Sequence, residues 1–377
     1  MIKQRMFTPG PTDVPPEVLN EMALPIFHHR TDQFRKMFAS VNGSLKKLLF
    51  TNNDVLTLAG SGTAAMEAAI GTLVPRGKKV LVANGGKFGE RWAKVARVYG
   101  LDVDEVKQEW GTAITPAEVK AKIAGGGYGA VIVTHSETST ATVADVKSIA
   151  AVTRDTDVLL LVDAITAAGA LPLKQDEWGI DVIGIGSQKA LMLPPGLAFV
   201  SVSPKAWAAA ESVKAPVFYL NLKAYRKSLA ADDVPYTPAI TLIRGLRIAL
   251  NMIEAVGIEK LWARIAVLAR ATREGCQAMG LKVYSRQPSD SVTAIWYPEG
   301  VDDTFRKKLK SKYGCNVAGG QDDITGKVFR VNHMGWIDPL DTLGLIAAVE
   351  YTLADLGAKV EIGKGVAAAA KVLKEWT

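Results

Sequence analysis

The sequence predicts an α/β protein: a mostly parallel sheet covered by helices on both faces, followed by a smaller α+β domain. Three observations carry this reading. From about residue 54, short β-branched apolar runs alternate with helical segments, and strands that are apolar along their whole length belong to sheets buried on both faces. A glycine turn, Ala59-Gly-Ser-Gly-Thr63, joins the first of these strands to its helix. Beyond about 255–265 the alternation continues without such turns. The expected division is an N-terminal arm at 1–20, a large domain at 21–258 and a small C-terminal domain at 259–377.

The chain has 377 residues, room for two domains at roughly 100–200 residues each. With 48% hydrophobic and 22% charged residues it reads as globular. No apolar run approaches the ~20 residues that span a bilayer, and the first residues lack the apolar stretch of a signal peptide. Cys276 and Cys315 make no disulfide framework and fit a reducing cytoplasm, so a cytoplasmic location without membrane contact is expected. The four histidines and two cysteines show no metal-site spacing. The net charge of +7 raises the question of a nucleic-acid partner. Yet the basic residues are scattered, and the densest run, Arg306–Lys312, reads as one solvated helix face. Small anionic substrates suit a positive field, and no nucleic-acid partner is expected.

Taken in order, Thr8-Pro-Gly-Pro-Thr-Asp-Val-Pro-Pro16 cannot join a central strand or a helix interior, but Pro15-Pro16 can open a helix. His28-His29 follow in a loop. No carboxylate or cysteine stands at ligand spacing, so they read as structural or as pocket wall. A helix is expected over 31–49. Strands are expected at 54–58, 79–83, 129–134, 158–163, 181–185 and 197–202, with helices at 64–73, 89–99 and 145–154. The 205–250 stretch breaks the pattern with Phe218-Tyr219 and Ala231–Pro238. One long helix then runs from Ile240 into the 260s. Strands at 282–285, 292–297 and 328–332, a basic helix at 303–313 and a helix at 340–356 complete the pattern.

In parallel sheets ligands bind beyond the carboxyl ends of the strands, where the polar residues of this chain gather. Gly60-Ser-Gly62 opens a helix, so backbone N–H groups and the helix dipole converge there, joined by the Ser61 and Thr63 hydroxyls. The turn fits a phosphate, a dinucleotide or an ordinary strand-to-helix connection. A dinucleotide wants an acidic residue at the end of the next strand, and that strand ends Val82-Ala-Asn-Gly85. Asp163 closes the apolar run from Val158, and Lys189 ends another strand within Ser187-Gln188-Lys189. A lysine there snorkels to water or serves as a neutral amine able to react with a carbonyl. A salt bridge would account for the Asp163/Lys189 pair; alternatively each serves a third group. Pyridoxal phosphate combines an aldehyde, a basic ring nitrogen and a phosphate. Phe88, after another strand, offers a ring face, and Ser136–Thr140 offer hydroxyls, so four loops converge on that chemistry. Arg330, in Val328-Phe-Arg-Val-Asn332, is either ion-paired within the chain or a fork for a ligand carboxylate.

Gly186-Ser-Gln-Lys189-Ala-Leu with Pro194-Pro-Gly196 after it, Leu161-Val-Asp163-Ala, Ser61-Gly-Thr63 and Thr134-His-Ser-Glu-Thr-Ser-Thr140 resemble the class V aminotransferases. The nearest likeness is to alanine–glyoxylate and serine–glyoxylate transaminases, and it runs from Thr8 to Arg330. The resemblance implies the type I fold of pyridoxal-phosphate enzymes and pyridoxal 5'-phosphate as cofactor. It implies ping-pong amino transfer between a small amino acid (alanine or serine) and a 2-oxo acid (glyoxylate or pyruvate). It also implies a homodimer with active sites at the interface. Lys189 would be the Schiff-base lysine and Asp163 the partner of the ring nitrogen. Ser61, Gly62, Thr63 and Gln188 would hold the phosphate, with Thr237 reaching it from the second subunit. Phe88 and Ile165 would contact the two ring faces. Ser139, with Thr138 as its rival, would lie at the ring hydroxyl. Gly10 would line the substrate pocket and Arg330 would grip the α-carboxylate. Two departures stand out. Val234 occupies a position where the family often has tyrosine, leaving Tyr236 to offer a phenol, and Thr63 stands in place of a frequent histidine. Cysteine desulfurases share the fold but tend to carry histidine before the lysine and need a cysteine on a mobile loop. Here Gln188 precedes Lys189, and Cys315 lies in a strand-like context. Aspartate- and phosphoserine-directed transaminases share the fold too, so the donor stays open.

Overall fold

The computed structural model describes residues 2–377. Its main sheet has seven strands in the spatial order Asp54–Gly60, Gly196–Val202, Val182–Gly186, Leu159–Asp163, Tyr128–Thr134, Lys79–Asn84 and Asp102–Lys107. Neighbours pair parallel, except that Gly196–Val202 runs antiparallel to both of its neighbours. The three central strands are buried at every residue, which is why they are apolar without alternation. Their side chains still divide by parity. Val131, Val133, Leu160, Val162 and Ile183 enter one core with Phe34, Phe38 and Leu45, while Ile132, Leu159, Leu161 and Val182 enter the other with Met66, Ile70 and Trp92. The α/β class with a mostly parallel sheet is thus the one the sequence implies.

Several boundaries differ from expectation. The edge strand Asp102–Lys107 was not foreseen, because its two valines sit among four charged residues that protect an exposed edge. The long helix is two, Ile240–Val256 and Ile258–Ala278, broken at Gly257 with φ +85°. Lys282–Ser285 is not a strand; Val283 makes only an isolated bridge to Ile295. The helices expected from 64 and 89 begin earlier, at Gly62 and Lys87.

A second sheet joins Val292–Trp296, Val328–Asn332 and Ala318–Gly319, all antiparallel. Its core holds Phe305, Phe329, Val331, Leu345 and Val349. The arm is stitched to this side of the molecule. Arg5–Met6 pairs in parallel with Cys315–Asn316, and the Asn332 N–H donates to the Phe7 carbonyl at 2.9 Å. From there the chain crosses to the large sheet. Among the described residues no helix is long and apolar enough to cross a membrane.

Candidate active site

Six strands of the large sheet point the same way, and five of them end at Gly60, Asn84, Thr134, Asp163 and Gly186. The turns after them therefore share one edge. Asp163 is 3% exposed. Its Oδ1 accepts from the Ile165 amide and its Oδ2 from the Trp92 indole, each at 2.9 Å. Burial pushes this carboxyl up to about 7; the Ile165 and Trp92 donors and Lys189 oppose the rise, while Glu137 adds to it. The Lys189 amine donates to the Pro9 carbonyl at 2.5 Å. Burial pulls it down to about 8, against Asp163, with Arg330 and Arg91 adding to the fall. The salt bridge that would have accounted for both groups is not formed, and neither joins an ion pair among the described residues. Two opposite charges thus face one space without meeting.

The turn Ser61–Thr63 lies beside them. Ser61 caps the Gly62–Leu73 helix without a side-chain capping bond. A Cβ on Gly62 would collide with Ile165, so glycine is required for this close approach. Ile165 is itself buried. The Gln188 Oε1 atom is buried and has no hydrogen-bond partner. Phe88 sits in the first turn of the Lys87–Val98 helix rather than in a loop, half-buried against the core.

Glu137 organises that helix. The helix start has no cap from its own Gly86. Instead Glu137 Oε2 accepts from the Phe88 and Gly89 amides at 3.1 Å, and Oε1 accepts from the Ser139 amide. The Ser139 hydroxyl donates to Glu137 and accepts from the Lys87 amide, while Thr138 Oγ1 pairs with Thr166 Oγ1 at 2.7 Å. Both rival hydroxyls are therefore engaged with the protein. Burial raises the Glu137 carboxyl above its usual range against the Ser139, Gly89 and Phe88 donors.

Arg330 enters from the other sheet. Its register partners are Ala294 and Ala318, whose small side chains leave room for the guanidinium. It is 7% exposed and pairs with no acid among the described residues. Nε donates to the Gly319 carbonyl at 2.8 Å and Nη1 to the Thr138 carbonyl at 2.7 Å. Burial lowers it to about 10, with Glu137 opposing. Gly10 lies over the lysine; a Cβ there would strike Nζ. Thr12 Oγ1 donates to the Lys189 carbonyl at 2.9 Å.

Two of the expected residues have other partners or face outward. Tyr236 stacks on Tyr219 with ring centroids 5.0 Å apart and donates to the Phe218 carbonyl, and Thr237 is exposed. A cavity of about 560 Å³ between Arg5, Asp13, Trp336 and Trp376 includes none of these residues. Sequence reasoning missed Trp92, Glu137 and the Pro9 carbonyl. Trp92 stands four residues after Phe88, one helical turn along the same face, and that spacing was the available signal.

The family described as Aminotransferase class-V matches residues 6–333. The chain is 42% identical to the soluble hydrogenase small subunit of Synechococcus sp., over 98% of both chains. It is 37% identical to the serine–glyoxylate aminotransferase of Methylorubrum extorquens, covering 99% of this chain and 96% of that one. Among solved structures it is similar to the ureidoglycine–glyoxylate aminotransferase of Bacillus subtilis, with a TM-score of 0.95 and 27% identity over 100% and 99% of the two chains. The hydrogenase name is that relative's. In this chain no group of three or more His, Cys, Asp or Glu side chains is placed to hold a metal ion among the described residues.

Proposed function

The chain belongs to the class V aminotransferase family, and from that premise we propose that it moves an amino group from alanine or serine to glyoxylate or pyruvate. The family implies pyridoxal phosphate, and the residues present fit it. The carrying observation is the pair Lys189 and Asp163, both kept from water, facing one space, and not paired with each other. An aldehyde at one end of a ring and a basic nitrogen at the other answers both groups. Gln188 stands beside the Gly62 amide of the Ser61–Thr63 turn, and its amide NH2 is a donor that a phosphate oxygen would accept from.

When bound, the cofactor supplies an aldehyde that captures amines and a ring that withdraws electrons from the amino acid's Cα. The protein does the rest. Ser61, Gly62, Thr63 and Gln188 bind the phosphate. Phe88 and Ile165 would hold the cofactor ring, and Ser139, with Thr138 as its rival, would contact it. Asp163 would keep a proton on the ring nitrogen as its carboxylate, a form that the Trp92 and Ile165 donors favour against the burial that opposes it. Lys189 Nζ would be the amine that faces the cofactor's aldehyde. During transfer, its amine, brought near neutrality by burial, takes the Cα proton and returns it. Arg330 binds the α-carboxylate, and Gly10 leaves space above the lysine for a small side chain. Thr237 is exposed, free to reach the phosphate of a second copy in a homodimer, and Tyr236 offers the phenol beside it. The 21–258 and 259–377 units then act as the cofactor-holding and substrate-gripping parts.

The test is a half-reaction screen. The yellow, cofactor-loaded protein is mixed with single amino acids and loss of colour is followed. Alanine and serine are expected to bleach it with release of their 2-oxo acids. Bleaching by aspartate or phosphoserine alone would overturn the donor assignment. Release of sulfide from cysteine would point to a desulfurase, a reading that the burial of both Cys276 and Cys315 disfavours.

A further inference from the structure

Resting on the cofactor reading above, we propose that Arg91 is the cation that neutralises the phosphate group of the bound cofactor. Arg91 stands on the Lys87–Val98 helix, three residues after Phe88. Its guanidinium lies 4.7 Å from the centroid of the Phe88 ring. Its Nη1 donates to Thr63 Oγ1 at 3.2 Å, which brings the charge to the first turn of the Gly62–Leu73 helix. That helix end has no acidic residue in its first turn and no side-chain cap, so its amides and dipole present a partial positive charge. Arg91 is half-buried and adds a full positive charge there. Two positive ends brought together in a partly desolvated place repel, unless an anion lies between them.

No protein anion does so. Among the described residues Arg91 forms no ion pair, and beyond the Thr63 contact its guanidinium N–H groups have no protein acceptor. Arg330 differs, because its Nε and Nη1 are spent on the Gly319 and Thr138 carbonyls. A methyl on Gly186 would lie 3.3 Å from both Gln188 Oε1 and the Gly62 amide nitrogen, so the Gln188 amide, an acceptor through that oxygen and a donor through its NH2, stands beside the same helix end. A phosphate monoester carries a charge of about −1.5 to −2 at neutral pH and three acceptor oxygens, more than the helix end alone would balance. A guanidinium forks onto such oxygens. The rival anion is the distal carboxylate of a dicarboxylic amino acid, but the Thr63 contact holds Arg91 at the phosphate turn.

The experiment titrates cofactor-stripped protein with pyridoxal phosphate and, separately, with pyridoxal, which has the same ring and aldehyde without the phosphate. Tryptophan quenching and yellow colour report binding. Arg91→Gln is expected to weaken pyridoxal phosphate about ten- to a hundredfold, the range of one charge-assisted hydrogen bond. Its affinity for pyridoxal is expected to match wild type. Arg91→Lys, which keeps the charge, is expected to lose less and guards against a folding defect in the glutamine variant. Equal weakening of both ligands would overturn the proposal, since it would place Arg91 only as a support for Phe88. Unchanged pyridoxal phosphate affinity with selective loss of bleaching by aspartate would also overturn it, in favour of a substrate-reading role. Failure of the wild type to bind pyridoxal phosphate at all would instead sink the cofactor reading beneath it.

Discussion

The carboxyl edge of the seven-stranded sheet and the middle of the three-stranded sheet each present buried charge to the same cleft, but they build it differently. At the edge the charges sit in turns and are interlocked. Asp163 is held by Trp92 and by the Ile165 amide. Trp92 lies on the helix whose first amides Glu137 holds. Glycines make this close packing possible, since a Cβ on Gly62 would strike Ile165 and one on Gly86 would strike Ser139 and Glu137. In the smaller sheet Arg330 lies mid-strand between two alanines in register, and only the Thr138 carbonyl ties its fork to the edge. One region is a frame in which every part depends on its neighbours; the other offers a single charge on a separate support. Holding the cofactor and gripping the substrate should therefore be separable by mutation.

The sharpest way to break that comparison lies at the edge. Lys189→Ala should abolish the yellow, borohydride-reducible adduct and lower turnover by at least ~10³-fold, the scale of a lost general base. A Lys189→Ala protein that still traps the cofactor on reduction would refute the assignment. Asp163→Asn should follow, with turnover lower by about 10²–10³-fold, as when one preorganised electrostatic partner is removed. Its carboxamide has one acceptor oxygen, enough for Trp92 or Ile165 but not both, so the loss is read in the chemistry and the colour of protein whose unfolding transition matches wild type. Wild-type colour and rate in Asp163→Asn would separate Asp163 from the ring nitrogen.

The two regions were not equally legible in the sequence, and the reason is physical. Lys189 and Asp163 stood out because each interrupts a continuous apolar run, where an unexplained charge is expensive. The central strands were legible for the same reason. Asp102–Lys107 escaped because an edge strand may carry charges that hide its valines, and the break at Gly257 was masked by helical pattern on both sides. Glu137 was seen only as part of a hydroxyl-rich loop. Its work is done through amides 48 and 49 positions away, and backbone amides leave no mark in a sequence. The Pro9 carbonyl is silent for the same reason. Tyr236 and Thr237 were named through resemblance, and a single chain gives them no contact with its own site.

A smaller effect is expected in the other region. Arg330→Ala should raise KM for the amino acid about ten- to a hundredfold, the worth of a charge-assisted hydrogen bond to a carboxylate. The colour and reducibility of the resting protein should stay unchanged. Steady-state kinetics beside an absorbance spectrum decide the matter. Loss of colour in Arg330→Ala would show that the two regions are one unit, joined through the Thr138 carbonyl.

The smallest effects should appear in the pH dependence of stability in the cofactor-free protein, where each region has its own slope. Asp163 is pushed up to about 7 in the folded chain against about 3.9 unfolded. Between those values the folded state holds a proton that the unfolded chain has released. This contribution is complete below about pH 4 and is lost as pH rises to about 7. Lys189 is pulled down to about 8 against about 10.4 unfolded. Below about 8 both states are protonated and the folded state bears the cost of a buried charge. As pH rises from there toward about 10.4, the unfolded chain holds the extra proton and stability increases. Arg330, lowered only to about 10, stays charged in both states over most of that range. Urea unfolding followed from pH 4 to 9 should therefore give three different difference curves. Wild type minus Asp163→Asn should fall up to about pH 7, wild type minus Lys189→Met should rise above about pH 8, and wild type minus Arg330→Leu should stay level. A sloping Arg330 curve below pH 8 would mean that its charge is coupled to the edge carboxylates more tightly than its two carbonyl contacts imply.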